Sequence, residues 1–394
     1  MKQYLDLMHH ILTTGRDRGD RTGVGTRSIF SARLIHDMRK GFPLLTTKKM
    51  RWDWIWLELE WFLRGDSDIT FLKENGVSIW DDWALPNDVL RERELSNYER
   101  LSLYCERTGM VRTQAQAMLH QIGSEEKGHL FLDQCGIPRC ADEVLVKAGS
   151  LNSPYGPAWR HWKGRGGKEY DQIAYVLNLL RTNPESRRMV VSCWDPANMP
   201  DESISPQDNV INGKPALTPC HYGFELYTEE LTFDERLDWL SCEALETYSE
   251  YQQYVKSIVG RLDVHVDTPT YMALLGKWFD THNVPKRFLD LKWHQRSNDF
   301  LLGDPYNLAS YAFLLTIFAK TVNMIPRMLE GDLTNVHIYR PHMEGAIQQY
   351  SRTPRDLPEL IVNVTHDKLE DYRLSDFELV GYNPHPFIRF ARAV

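Results

Sequence analysis

The segment Thr218-Pro219-Cys220-His221 holds the residue with the most specific chemistry in this sequence, a cysteine. A thiolate adds readily to an electron-poor carbon, so a cysteine held near a positive charge can act as a covalent catalyst. Most unpaired cysteines are instead small buried apolar residues. His221 beside Cys220 suggests a Cys-His hydrolase dyad, but neighbours on an extended segment point to opposite faces, which favours a structural role for this histidine.

Several arginines have the chemistry to bind an anion, and one asparagine can pair with a ligand that has both a donor and an acceptor. A phosphate monoester carries nearly two negative charges and suits several guanidinium groups, and Arg21, Arg187-Arg188 and Arg296 are available. The side-chain amide of Asn307 can both donate and accept a hydrogen bond. Taken singly, an arginine is more often a surface residue, and Asn307 has the alternative role of capping a helix that begins at Leu308.

Glu58 is a candidate for proton transfer. It lies in the largely apolar run 52–63, which predicts a buried helix, near Trp54, Trp61 and Phe62. Burial favours the protonated form of a carboxyl group and suits it to exchange a proton near neutral pH. The alternative is a glutamate at the solvent edge of that helix.

The order of these residues along the chain is similar to that of one enzyme family. The segments that carry the similarity are Asp20-Arg21-Thr22-Gly23, Glu58, Trp80, Tyr155-Gly156, Arg187-Arg188, Thr218-Pro219-Cys220-His221, Gln295-Arg296-Ser297-Asn298-Asp299, Gly303-Asp304-Pro305-Tyr306-Asn307-Leu308-Ala309-Ser310-Tyr311 and His337-Ile338-Tyr339. This set resembles thymidylate synthase and its deoxypyrimidine hydroxymethylase relatives, over about residues 2–85, 152–228 and 288–394.

The resemblance implies transfer of a one-carbon unit from 5,10-methylenetetrahydrofolate to C5 of dUMP, through a bond between Cys220 and C6 of the base. By resemblance the catalytic residues are Cys220, Glu58, Tyr155, Arg296 and Asn307; the nucleotide contacts are Arg21, Arg187, Arg188, Gln295, Arg296, Ser297, Asn307, His337 and Tyr339; and the folate contacts are Trp80, Asp299, Glu58 and Val394. Arg296 is the candidate positive charge beside the sulfur. Arg187 and Arg188 match a pair donated by the other subunit, so a homodimer is implied.

Two products are compatible with this resemblance, and we expect hydroxymethylation rather than methylation. Asn307 favours deoxyuridylate, because the resembling cytidylate enzymes have Asp at this position. Departures from the synthase pattern add polar groups that can hold a nucleophilic water: Asp195, Glu225, His294 and Thr334-Asn335. Two long insertions also resemble viral deoxyuridylate hydroxymethylases that modify the DNA base pool. Thymidylate synthase and a silent nucleotide- or RNA-binding relative remain the alternatives.

Hydrophobic periodicity predicts an α+β fold without a glycine-rich phosphate loop. Helices are expected at 4–12, 52–63, 173–180 and 308–322, and strands at 28–35, 189–194, 224–227 and 360–362. The resemblance implies a large bent mixed β-sheet with flanking helices, in a single catalytic domain of residues 1–394 with insertions at about 86–151 and 229–288. In and near the insertions we expect helical runs at 88–121 and 248–259, a polar loop at 201–214, and turn or linker segments at 268–271 and 283–285.

Composition excludes several classes of function. A formal charge of -8 argues against broad nucleic-acid binding, so no direct contact with nucleic acid is expected. Six scattered cysteines without an apolar leader indicate free thiols and a cytoplasmic location, or the host cytoplasm for a viral protein. The apolar stretch near Phe313 is cut by Lys320 and is too short to span a membrane. His129, Cys135 and Cys140 have poor zinc spacing, so no metal is expected.

Overall fold

A mixed sheet of six strands carries six of the expected site residues: Gln295, Arg296, Ser297, Asp299, His337 and Tyr339. The computed structural model describes residues 2–20, 23–122, 124–261 and 268–392. The strands are β1 (Arg16–Arg18), β2 (Thr26–Asp37), β3 (Val89–Glu94), β4 (Cys140–Val146), β5 (Trp162–Lys163), β6 (Glu169–Tyr170), β7 (Val190–Ser192), β8 (His221–Glu230), β9 (Arg287–Asp299), β10 (Ile325–Tyr339), β11 (Glu359–Val362) and β12 (Phe377–Val380). The large sheet has the order β1-β2-β10-β9-β8-β7, in which only β9 and β10 are parallel.

The described residues also form helices, only some of which pack against this sheet. They are α1 (Lys2–Thr14), α2 (Trp52–Arg64), α3 (Thr70–Glu74), α4 (Asn97–Thr108), α5 (Arg112–Ile122), α6 (Glu125–Gln134), α7 (Gly156–Arg160), α8 (Gln172–Thr182), α9 (Pro206–Ile211), α10 (Phe233–Glu243), α11 (Leu245–Arg261), α12 (Thr268–Thr281), α13 (Gly303–Thr321) and α14 (Met343–Tyr350). Helix α13 is buried on nearly all sides because it packs between β9, β10 and α2. The α+β fold expected from the sequence is confirmed.

Alternation along β9 explains why this sheet has a core face and an outer face. Leu289, Leu291 and Trp293 are buried against α13, whereas Asp290 and Lys292 between them are only half-buried on the opposite face. This period of two is that of a strand with one buried side. The outer face is not covered by any other element of the described chain to the same extent, and it contains a cavity of about 870 Å³ beside β7 and β8.

The segment expected as the first insertion, about residues 86–151, leaves and re-enters the rest of the fold at one point. The amide of Leu85 donates to the carbonyl of Ser150 at 2.9 Å, and the amide of Gly149 donates to the carbonyl of Leu85 at 2.7 Å. Between these points, β3 pairs with β4 and helices α4 to α6 pack together. The fully buried Arg100 joins these helices, because its guanidinium binds the carboxylate of Asp133.

The second insertion joins the end of β8 to the start of β9. The amide of Leu231 donates to the carbonyl of Lys286 at 2.9 Å, which closes its base. Helices α10 to α12 enclose a second, smaller apolar core that includes Leu240, Trp278 and Phe279. This insertion therefore folds around its own core at one end of the sheet.

Four expectations about secondary structure are wrong. The run 88–121 is not helical throughout, because Val89–Glu94 forms β3. Residues 268–271, expected as a turn or linker, are the first turn of α12, and the expected polar loop at 201–214 contains α9. Helix α13 begins at Gly303 rather than at Leu308. The other three expected helices and the four expected strands outside the insertions are confirmed, with ends that differ by a few residues.

Candidate active site

Cys220 lies where the start of β8 meets the end of β9. His221 is paired with Gln295 in the sheet, and the amide of Arg296 donates to the carbonyl of Cys220 at 2.9 Å. The guanidinium of Arg296 also donates to the carbonyls of Pro219 and Thr218, at 2.9 and 3.1 Å. Arg296 thus holds the cysteine-bearing segment through main-chain contacts and keeps its own charge next to it.

The thiol of Cys220 is accessible to solvent but closely surrounded by protein. Cys220 is exposed, yet desolvation raises the pKa of its thiol, and the charge of Asp299 raises it further; Arg296 acts in the opposite direction. Of the two charged groups that shift this pKa, Arg296 is the one that favours the thiolate. The hydroxyl of Tyr155 accepts a hydrogen bond from the amide of Cys220 at 2.9 Å, which fixes the backbone at the nucleophile.

His221 points away from Cys220 and into the core. Its ring stacks on Tyr155 with centroids 4.2 Å apart, and its Nδ1 lies 2.9 Å from the hydroxyl of Tyr311. Burial lowers the pKa of His221 to about 3, so the ring is neutral at physiological pH. This geometry supports the structural role and not a Cys-His dyad.

A chain of three hydrogen-bonding side chains fixes the orientation of Asn307. Trp293 Nε1, which can only donate, donates to Oε1 of Gln295 at 3.2 Å. The Nε2 of Gln295 therefore faces the other way and donates to the carbonyl of Ser297 at 3.0 Å and to Oδ1 of Asn307 at 3.1 Å. Gly331 is required opposite Trp293, because a Cβ there would lie 2.2 Å from the indole. The amide nitrogen of Asn307 is left to contact a ligand.

The capping alternative for Asn307 is wrong. Helix α13 begins at Gly303, with Leu302 at its N-cap, so Asn307 stands in the second turn. Its side chain contacts Gln295 rather than the first amides of the helix.

Glu58 lies on the buried side of α2 and faces Trp80. The indole nitrogen of Trp80 donates to Oε1 of Glu58 at 2.8 Å. Burial raises the pKa of Glu58 to about 7, although the bond from Trp80 acts to lower it. The charge of Glu58 contributes to the raised pKa of Tyr306, a residue of α13 whose pKa rises mainly through burial. The carboxyl group can therefore both accept and donate a proton near neutral pH.

The C-terminal ends of the neighbouring strands β9 and β10 bring together Ser297, Asp299, His337 and Tyr339. In the parallel register of β9 and β10, Asn335 is paired with Ser297 and His337 with Asp299. Burial lowers the pKa of His337, whereas the charge of Asp299 raises it. The rings of His337 and Tyr339 are perpendicular, with centroids 5.1 Å apart. These strand ends place the hydroxyl of Ser297, the imidazole of His337 and the phenol of Tyr339 near the Cys220 segment.

Asp299 and Trp80, the expected folate contacts, are held in place by neighbouring groups. Oδ1 of Asp299 accepts the amides of Leu301 and Leu302 at 3.3 and 3.2 Å, at the turn that leads into α13. The indole of Trp80 lies 6.1 Å from the ring of Tyr155, centroid to centroid. Trp80 is therefore near the Cys220 segment through Tyr155, which binds the amide of Cys220. Asp299 is near it through β9, the strand that also carries Arg296.

Arg187 and Arg188 are far from Cys220 in the same subunit. The amide of Leu226 donates to the carbonyl of Met189 at 2.9 Å, so both arginines lie beyond Leu226 along β8. At least six residues of strand, about 20 Å at about 3.3 Å per residue, separate them from Cys220. Both side chains are exposed. One subunit alone does not bring them to the site.

A buried polar cluster under Asp299 was not found from the sequence. Asp304 is fully buried, and its Oδ1 accepts Nδ2 of Asn298 at 2.6 Å. Burial raises the pKa of Asp304 to about 7 and lowers the pKa of Lys48, whose Nζ donates to the carbonyl of Leu301, to about 8. Oδ2 of Asp304 and Oδ1 of Asn298 have no hydrogen-bond partner among the described residues. The aspartate in the first turn of an otherwise apolar helix was the available signal.

Two of the departures from the synthase pattern contact each other. Nε2 of His294 lies 2.8 Å from Oε1 of Glu225, and its Nδ1 lies 3.6 Å from a carboxylate oxygen of Asp332. These groups stand on the outer face of the sheet. Asp195 uses Oδ1 to accept the amide of Ala197 at 3.0 Å. These side chains thus have protein partners.

Two expected ligand contacts, Arg21 and Val394, lie outside the described residues. Within the described ranges, no three or more His, Cys, Asp or Glu side chains are grouped so that they could hold a metal ion. In the same ranges, each helix is too short or too polar to cross a lipid bilayer. None of the six cysteines, all of which are described, forms a disulfide bond.

One comparison with known proteins identifies the family. The family model for thymidylate synthase matches residues 2–246 and 265–394. The matched range is wider than the resemblance above, since it includes the first insertion and much of the second. Enzymes of this family use methylenetetrahydrofolate and are typically dimers. The chain therefore belongs to the thymidylate synthase family, whose members transfer a folate-borne one-carbon unit to C5 of a dUMP-like nucleotide.

Proposed function

We propose that this enzyme converts dUMP to 5-hydroxymethyl-dUMP, with Cys220 as the nucleophile. The sulfur adds to C6 of uracil, and C5 then attacks the methylene carbon of the folate iminium. Loss of the C5 proton and departure of tetrahydrofolate leave an exocyclic methylene group. Water adds to that carbon and gives up a proton, and elimination of the Cys220 thiolate releases the product. The position of Arg296 beside Cys220 supports the first step.

The raised pKa of Glu58 supports a step in which water is added. A buried carboxyl with a pKa of about 7 is ionised in a large fraction of molecules at neutral pH and can take a proton from water. Trp80 holds one of its oxygens at 2.8 Å, which leaves the other for that water. The exocyclic methylene needs only a water and a base at this stage, whereas the synthase branch needs hydride from the folate.

The preference for uracil rests on the orientation of Asn307. Because Gln295 donates to Oδ1 of Asn307, the Nδ2 group is free to donate to O4 of the base. The second lone pair of Oδ1 can accept N3-H. Cytosine presents a donor and an acceptor in the opposite order, so it leaves both groups unpaired.

We further propose that the enzyme works as a homodimer in which Arg187 and Arg188 bind the phosphate of the partner subunit's nucleotide. Their distance of about 20 Å from Cys220 along the strands rules out that role in the same subunit. Arg187 also borders the large cavity on the outer face of the sheet, where a second sheet would pack. Arg296, Ser297 and Arg21 supply the remaining phosphate contacts in this proposal.

Methylation is the second candidate, and the pairing of His294 with Glu225 favours it. The two residues satisfy each other at 2.8 Å on the outer sheet face, so they do not carry an argument for an extra water in the cleft. If Glu58 serves only to exchange protons with the base, the family's hydride step gives dTMP and dihydrofolate.

One incubation separates these outcomes. Purified enzyme is mixed with dUMP and methylenetetrahydrofolate, and the nucleotide is identified by mass spectrometry while dihydrofolate is followed by absorbance. The proposal requires a product that contains the added oxygen, together with tetrahydrofolate. Formation of dTMP and dihydrofolate establishes the synthase instead. Binding of dUMP without exchange of its C5 proton identifies a silent relative, and Cys220→Ser is the control for the covalent step.

A further inference from the structure

A polar cavity of about 330 Å³ lies between the first insertion and the rest of the enzyme. One wall is the antiparallel strand pair β3–β4. The other wall consists of the start of α3 and the segments around 150–152 and 210–213. The polar side chains that border it are Asp68, Thr70, Arg91, Lys147, Ser150 and Asn152. None of them is among the residues that surround Cys220, so this cavity is separate from the candidate active site.

Arg91 has a buried donor without an acceptor. Its Nε is buried and has no hydrogen-bond partner among the described residues. Its Nη2 lies close against Gly213, where a Cβ would approach within 3.2 Å, and Gly213 has a positive φ of 76°. A buried donor that is left unpaired destabilises the fold. This arrangement indicates that a group from outside the described chain completes the site.

The charge of the cavity is positive. Arg91 and Lys147 form no ion pair in the described part of the chain, whereas Asp68 uses Oδ1 to accept the amide of Thr70 at 2.9 Å. Asn152 directs its Nδ2 to the carbonyls of Val210 and Lys214 and so holds together the two chain segments of the second wall. Two cations with hydroxyl groups beside them suit an oxyanion better than a cation or an apolar ligand.

We propose that this cavity binds an oxyanion, a phosphate or a carboxylate group, with Arg91 as its principal ligand and Lys147 as the second cation. The planar guanidinium offers Nε and one Nη to two oxygens at once. The walls lead directly to the catalytic segments: Ala216, whose amide donates to the carbonyl of Leu151 at 3.0 Å, stands four residues before Cys220. A bound oxyanion thus bridges the first insertion and the segment that leads to Cys220.

Isothermal titration tests the proposal with inorganic phosphate as one probe and a triglutamate peptide as the other. The two probes distinguish a phosphate source from a carboxylate source. Saturating dUMP is present, so that phosphate does not occupy the nucleotide site. Wild type is expected to bind one probe, and Arg91→Gln is expected to weaken that binding roughly ten- to hundredfold, the value of a hydrogen bond to a charged group.

Two further variants keep the test decisive. Lys147→Gln should weaken the same binding if Arg91→Gln fails to fold, and Lys73→Gln, an exposed cation of α3 outside the cavity, should leave it unchanged. The proposal is overturned if wild type binds neither probe, or if the cavity variants bind as wild type does. If the proposed function fails and dUMP does not bind, the same comparison of variants without dUMP still reports on this cavity.

Discussion

Substitution of the buried carboxylate of Asp304 by an amide should stabilise this enzyme at alkaline pH. Asp304 is fully buried, and one of its oxygens accepts from Asn298 at 2.6 Å. Asp304→Asn retains that acceptor and removes the charge. It also replaces Oδ2 of Asp304, which has no partner among the described residues, by an amide nitrogen that can donate. Oδ1 of Asn298 is an acceptor that likewise has no partner in the described part of the chain.

The size and sign of the effect follow from the pKa of Asp304. Burial raises it from 3.8 to about 7; a difference of about 3 in pKa, at about 1.4 kcal/mol for each, corresponds to about 4 kcal/mol. A raised pKa means that the folded state binds the proton more tightly than the unfolded state. The cost of the ionised form is therefore absent below pH 3.8, grows as the pH rises from 3.8 to about 7, and is constant above that. About 4 kcal/mol is an upper limit, because Asp304→Asn also leaves the ammonium of Lys48 without this neighbouring charge.

Urea denaturation at a fixed protein concentration, at about pH 5, 6.5 and 8, measures the effect. The difference in the free energy of unfolding between Asp304→Asn and wild type should grow with pH and level off near pH 8. Asp376→Asn is the matched control: Asp376 is also buried, but it pairs with His366 at 2.9 Å, so its neutralisation should destabilise the protein. A variant with Asp304→Asn that is no more stable than wild type at pH 8, or a difference independent of pH, refutes the reasoning.

Three further predictions concern catalysis. Cys220→Ser should abolish turnover and the covalent adduct with dUMP while equilibrium dialysis still detects dUMP binding; residual turnover near that of wild type contradicts the covalent route. Asn307→Asp should raise the ratio of kcat/KM for dCMP to kcat/KM for dUMP by roughly one to two orders of magnitude, which is the effect of one buried polar pair. If steady-state assays with the two nucleotides give an unchanged ratio, this residue does not recognise the base. In wild type, kcat should rise with pH through about 7 as Glu58 ionises; Glu58→Gln should lower kcat by about 10²- to 10⁴-fold and remove that rise, and a pH profile that survives the substitution assigns it to another group.

Much of the fold was predictable because its core elements follow local patterns. The apolar run of α2 predicts a buried helix, and the structure buries Glu58 within it. The prediction for 268–271 is wrong because proline is tolerated in the first turn of a helix, where Pro269 lies. Pro305 likewise lies in the first turn of α13, which begins before the expected start at Leu308.

Non-local contacts account for what the sequence did not reveal. Strand β3 contains several charged residues, and its pairing with β4 joins Val89 to Val146, far along the chain. The burial of Asp304 depends on a tertiary environment that includes Lys48, which no local pattern reports. The register of β8 and β9 likewise brings Glu225 and His294 into contact on the outer face. Both residues were expected to bind a water, and they bind each other instead.

The positions of the two insertions limit how each can influence the reaction. The second insertion is joined to β8 at Leu231, ten residues of strand from His221, or about 33 Å at about 3.3 Å per residue. Its base is therefore too distant to cover the cleft of its own subunit. The first insertion joins the fold at Leu85 and Ser150, between Trp80 and Tyr155, both of which border that cleft. Five residues separate each junction from the nearer aromatic ring, so the first insertion lies closer to this cleft along the chain than the second does.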